Sequence, residues 1–125
     1  MDRATSDLQT LERLRSRYRD MAARVAGIGF TWHGSISERW LTCGRPDCEC
    51  AKDPRARHGP YVYWTTKEKG RSVARLLHPP ESQILQEWLS NRKQLDAILR
   101  EMLKLSQMAL RVLLRVRQRE MRKPG

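Results

Sequence analysis

Leu11, Leu14, Tyr18, Met21, Val25 and Ile28 recur at alternating spacings of three and four, with mostly polar residues between them. That is the seam of an amphipathic helix packing on another helix, and it predicts a helix over residues 5–28. Ser6-Asp7-Leu8-Gln9 has the form of a capping box at its start, and Gly27 and Gly29 loosen its end. Arg13, Arg17 and Arg24 lie away from the seam and read as a solvated face. From residue 30 the helical period stops. Residues 36–43 (ISERWLTC) alternate as a strand, residues 61–66 (YVYWTT) are aromatic and β-branched, and residues 71–77 (RSVARLL) return after a turn at 67–70. Alternate strand residues face opposite sides, which assigns Trp40 and one of Tyr63 or Trp64 to a small core.

Pro79-Pro80 closes the sheet and opens a second helix, which meets no Gly or Pro from Glu81 to about Arg119. Leu85, Trp88, Leu95, Leu99, Met102, Ala109, Leu113 and Val116 form its three-four stripe, widened by Ile84, Ile98, Leu105 and Val112. A continuous helix there has about 35–40 residues and a length of roughly 55 Å. The shorter first helix does not cover it, so the apolar stretch from Leu110 to Val116 is expected to stay exposed unless a second copy or another protein packs on it. The expected fold is α+β: a small three-stranded antiparallel zinc-knuckle sheet flanked by an N-terminal helix and a long C-terminal helix. Its parts are the amphipathic helix (1–29), the zinc-binding β module (30–79) and the long helix with a basic tail (80–125).

Charge alters this picture more than composition does. The net charge is +11. Residues 27–75 carry nine basic and five acidic groups and residues 111–125 six and one, while residues 76–110 balance. Such a distribution favours a polyanionic partner. In the module, Arg45, Lys52, Arg55 and Arg57 flank the turn-rich loop, and Lys67, Lys69 and Arg71 crowd one hairpin tip. In the tail, Arg111, Arg115, Arg119 and Arg122 share one helical face, followed by Lys123. Arginine meets phosphate bidentately, and no base-reading code is visible, so DNA or RNA contacts dominated by phosphate are expected. Trp32, Trp40, Tyr61, Tyr63 and Trp64 are available either for stacking on bases or for the core. The chain shows no apolar signal core and no apolar stretch of membrane-spanning length, which points to a cytoplasmic protein without a membrane partner.

All three cysteines fall in CGRPDCEC, as Cys43, Cys48 and Cys50, and His58 follows in HGPY. An odd number of closely spaced cysteines does not make a secreted disulfide framework. Three thiolates and one imidazole suit tetrahedral zinc, with Arg45 and Lys52 offsetting the negative charge. His58 is the nearest fourth ligand and sits on a Gly-flanked loop. His33 and His78 are the alternates, with Asp47 and Asp53 less favoured. Burial as plain small residues fits such a charged loop poorly. A low-pKa thiolate paired with His58 would suit catalysis, but a full set of four donors leaves zinc no open position, so an enzyme is not expected.

Gly34–Ile36 (GSI), CGRPDCECA at 43–51, HGPY at 58–61 and the NRK of Asn91–Lys93 resemble a family of small bacterial proteins of unknown function with the motif CGxxxCxCA…HGPY. The resemblance spans roughly residues 34–100. It implies a hairpin after the Cys/His loop and then a helix. Some members occur beside recombinase or transposase genes of mobile elements. Together these features predict a zinc-stabilised, basic nucleic-acid-binding accessory protein that works with a larger enzyme of a mobile element or nuclease system, its long helix dimerising or docking. The alternative is an adaptor whose basic surface meets an acidic protein and never touches nucleic acid.

Overall fold

The computed structural model of the chain describes residues 2–122. The elements run α1 (Arg3–Val25), β1 (Ser35–Leu41), β2 (His58–Glu68), β3 (Arg71–Leu77) and α2 (Pro79–Arg122), with two short 3-10 turns, Glu49–Ala51 and Pro54–Ala56, between β1 and β2. The fold is α+β, with a three-stranded antiparallel sheet in the order β1-β2-β3. The chain forms two compact units: Gly29–Arg92, and the described residues before and after it. No helix among the described residues is long and apolar enough to cross a membrane.

In the helical unit, α1 lies antiparallel to the later part of α2. Arg17 reaches Glu101 at 3.4 Å, and Asp7 meets Arg119. Between these contacts Leu14 is buried against Leu105 and Val112, and Leu11, Met21, Ala109 and Val116 pack around them. Removing a leucine side chain such as Leu105, only 2% exposed, from water contributes about 1.5–3 kcal/mol.

Several details differ from the sequence reading. The helix begins one turn before the Ser6–Gln9 box, because the Asp2 carboxylate accepts the Ala4 N–H at 3.3 Å and caps it there. Arg17 is not merely solvated, since it bridges to the facing helix. The packed line on α2 runs through Ile98, Leu105 and Val112, the residues expected only to widen the stripe, while Leu99 and Leu113 are exposed. Because α1 lies along this part of α2, it covers Val112 and Val116; Leu110, Leu113 and Leu114 do remain exposed. The helix itself is longer than expected, at 44 residues.

In the sheet unit, the cross-strand pairs fix which side chains share a face. Ile36, Val62, Trp64, Thr66, Val73 and Leu77 fall on one face and are buried or half-buried. Ser35, Ser37, Arg39, Tyr61, Tyr63, Thr65, Lys67, Ser72, Ala74 and Leu76 fall on the other. Trp40 does not enter the core: the register shifts between Arg39 and Leu41, and its indole is 53% exposed. Trp64 is half-buried, and its indole N–H donates to the His33 carbonyl at 3.0 Å. The stretch before β1 is tied to the start of α2: the Asn91 amide donates to the Phe30 carbonyl at 2.8 Å, and the Phe30 and Trp88 rings lie 5.2 Å apart.

Gly34 makes this crossing possible. Its φ is +116°, and a Cβ there would fall 2.2 Å from the Trp64 indole nitrogen and 2.8 Å from the Thr65 carbonyl oxygen. Gly34→Ala is therefore expected to destabilise the chain by about 1–3 kcal/mol. Thermal unfolding followed by near-UV circular dichroism should show a midpoint lower by several degrees; an unchanged midpoint would contradict this packing.

Candidate metal centre

The connection between β1 and β2 is almost all turn. Gly44 takes a positive φ of +82°, the Cys48 N–H bonds back to the Arg45 carbonyl, and Cys48 then caps the 3-10 turn that carries Cys50. The Ala51 N–H returns to the Cys48 carbonyl, and the Lys52 and Asp53 N–H groups both return to Glu49. Asp53 in turn caps the next turn, accepting the Arg55 N–H at 2.9 Å. These local bonds fix the turns that carry Cys48 and Cys50.

His58 is supplied from elsewhere. It is the first residue of β2 rather than a loop residue, and it sits across from Leu41 at the end of β1. Gly59 lets β2 come this close. With φ at +147°, a Cβ on it would lie 2.7 Å from the Arg39 carbonyl oxygen and 3.2 Å from the Trp40 ring. The HGPY glycine thus brings the imidazole to the thiols.

Cys43, Cys48, Cys50 and His58 form one group whose donor atoms all lie within 4.8 Å of one another. The Cys43 and Cys50 sulfurs are 3.5 Å apart, and the Cys48 sulfur is 3.4 Å from His58 Nε2. A tetrahedron with metal–sulfur bonds of about 2.3 Å has edges of about 3.8 Å. The four donors are therefore spaced to bind a metal ion. Of the other candidates, none joins this group. His33 contacts the Thr66 hydroxyl through its ring at 2.9 Å, and His78 offers its carbonyl to the Ser82 N–H at the start of α2. Asp53 is spent as a turn cap, and Asp47 lines the open rim with Arg45.

The thiols differ electrically. The Cys50 N–H first, and the His58 ring next, hold the Cys48 thiol down at about 6. The Cys43 N–H donates to the Cys50 sulfur at 3.4 Å and pulls that thiol down, but burial and the neighbouring sulfurs outweigh it and leave Cys50 raised. Cys43 is exposed and Cys50 buried, so the group runs from surface to interior.

Most of the described basic residues named from sequence are exposed. Arg45 lines its rim; Lys52, Arg55 and Arg57 are exposed along the same connection. Lys67, Lys69 and Arg71 are exposed at the β2–β3 turn, where Lys69 has a positive φ of +51°. In the helical unit, Arg115, Arg119 and Arg122 line one depression with Arg3, Ser6 and Asp7, and Arg111 is exposed beside another. Arg119 is held by Asp7 and so is less available than its neighbours. Lys123 lies outside the described residues. Sequence reasoning missed the approach at Gly59 and the guanidinium of Arg39 over the Tyr63 ring, 4.5 Å from its centre. The second was legible only once strand register was known.

A family model described as "Domain of unknown function (DUF6788)" matches residues 9–87. The match takes in the cysteine loop and all three strands, and it reaches back into α1, beyond the span read from the motif. No curated protein and no solved structure matches the chain.

A thiol lowered to about 6 is mostly thiolate at neutral pH and gains its proton only as pH falls through that value. Immediately after a chelator strips the metal at pH 7, before the loop loosens, iodoacetamide should therefore alkylate Cys48 first and Cys50 last, with the Cys48 rate halving near pH 6. A bound divalent metal should protect all three. Peptide mass mapping reads the order, and fastest labelling at Cys50 would contradict the assigned environments.

Proposed function

We propose that this chain, which belongs to the DUF6788 family, is a zinc-stabilised nucleic-acid-binding accessory protein that acts with a larger enzyme such as a recombinase, transposase or nuclease. The observation that carries the reading is the group Cys43, Cys48, Cys50 and His58, set in a loop whose arginines and lysine face outward. Zn²⁺ is the ion whose preferred four-coordinate shell matches three thiolates and one imidazole, and all four positions are filled by protein. Such a closed shell shapes a surface rather than performing a reaction, so the role proposed is binding and not catalysis. Three reduced thiols also suit the cytoplasm.

The nucleic-acid part of the reading rests on charge. The chain carries +11, with exposed cations along the metal loop and at the Lys67–Arg71 turn. Each cation that meets a phosphate releases counterions, which makes such binding strongly salt-dependent. The protein-partner part rests on α2. Leu99, Leu103, Leu110, Leu113 and Leu114 are between 45% and 62% exposed and lie away from the Leu105–Val112 line that faces α1. We place the contact with the larger enzyme on this face. The same leucines also favour the adaptor reading, in which a protein is the only partner.

Three measurements test the metal site and separate the two readings. Metal analysis of the purified chain should return about one zinc per chain, and Cys48→Ser should lose both the metal and the folded sheet. Mobility shifts on DNA and RNA should weaken with salt along a log–log slope of about −3 to −4, as expected for roughly four phosphates, and Lys67→Glu with Lys69→Glu should reduce that slope. No shift at low salt, with zinc in place, would leave the adaptor reading. A dimer in light scattering that Leu103→Glu and Leu110→Glu dissolve would assign the leucine face to a second copy.

A further inference from the structure

The outer face of the sheet carries chemistry that the metal centre does not use. Tyr61 and Tyr63 stand two residues apart on β2, so their rings lie on the same side, roughly 7 Å apart along the strand. Arg39, paired across from Tyr61, lays its guanidinium over the Tyr63 ring. Lys67 ends the same row, and Leu76 beside Tyr63 is 49% exposed. Among the described residues of the three strands, no carboxylate falls on this face. Glu38 and Glu68 belong by register to the opposite one.

We propose that this face is a stacking platform for unpaired bases, so that the nucleic acid the protein takes is single-stranded. The inference rests on the nucleic-acid reading above and narrows it. An aromatic ring and a guanidinium plane each offer a flat surface to a base and do not discriminate among bases. The spacing of Tyr61 and Tyr63 is about the step of an extended strand, which places one base on the Tyr61 ring and the next on the Arg39 guanidinium that Tyr63, itself half-buried, supports from beneath. Lys67, two same-side positions beyond Tyr63, then lies along the path of the backbone phosphates that continue past the stacked bases, and the absence of carboxylates removes the repulsion an anion would meet. Bases stacked inside a duplex hide their faces, and side chains level with a sheet do not reach into a groove to find them. An acidic peptide would satisfy the two cations but would leave the two rings without a matching group.

Fluorescence anisotropy of the full zinc-loaded chain tests this, with a labelled single-stranded oligonucleotide of mixed sequence and the duplex of the same sequence as probes. The single strand should bind more tightly. Tyr61→Leu and Tyr63→Leu, which keep the apolar contact and remove the flat ring, should each weaken single-strand binding about tenfold, since one stacked base contributes about 1–3 kcal/mol. Duplex binding should stay within about twofold. Unchanged single-strand binding in the leucine variants, or a preference for duplex, would overturn the stacking platform and leave phosphate-dominated binding standing. No binding of either probe would overturn both. Binding of an acidic peptide in their place would assign the face to a protein. If a leucine variant fails to fold, photocrosslinking of the unaltered protein to a bromouracil-containing single strand gives the same decision. Adducts on Tyr61 or Tyr63 support the platform, and adducts confined to other segments overturn it.

Discussion

Cys43, Cys48, Cys50 and His58 come from the end of one strand, two turns and the start of the next strand, yet their donor atoms lie within 4.8 Å of one another. The shape of the β1–β2 connection depends on that convergence. Cys50 is its only buried residue, so it has little apolar area with which to offset the roughly 1–2 kcal/mol lost on ordering each residue. A structural zinc site contributes about 10–16 kcal/mol, the same order as the cost of fixing some ten residues. In the proposed reading, an ion bound by these four donors supplies the order of a segment that has almost no core.

The consequence reaches the strands. His58 opens β2, and its seat beside the thiols sets where β2 meets the end of β1. Gly59 and Gly34 are the two places where backbone and rings come too close for a side chain, one beside Trp40 and the other beside Trp64. The convergence of four donors at one end and the close approach at Gly34 at the other bound a three-stranded sheet that is small for independent stability. That sheet then presents two unlike faces: one centred on half-buried Ile36, Val62, Trp64, Val73 and Leu77 with exposed Glu38, Glu68, Arg71 and Arg75 at its margins, the other aromatic and cationic without carboxylates.

Much of this was legible in the sequence, because its signals were local. The β-branched and aromatic run at Tyr61 to Thr66, the proline pair that opens α2 and the cysteine spacing each name an element or a candidate ligand without knowledge of the rest. The misreadings arose where distant segments decide. Asp2 outcompetes Ser6 as the cap of α1 because its side chain reaches the Ala4 N–H. Trp40 is turned out by a register shift that alternation alone does not reveal. The line of α2 that becomes core is chosen by where α1 lies, which makes Leu105 and Val112 central and leaves Leu99 and Leu113 exposed. Choosing His58 over His33 and His78 was possible by proximity in sequence. Its placement on a strand, and the cause of its approach, required the fold.

X-ray absorption at the zinc edge on the purified chain tests the central claim most directly. A four-coordinate site with three sulfurs at about 2.3 Å and one nitrogen at about 2.0 Å is expected. A shell of oxygen donors, or no zinc absorption at all from protein whose sheet is folded, would contradict it.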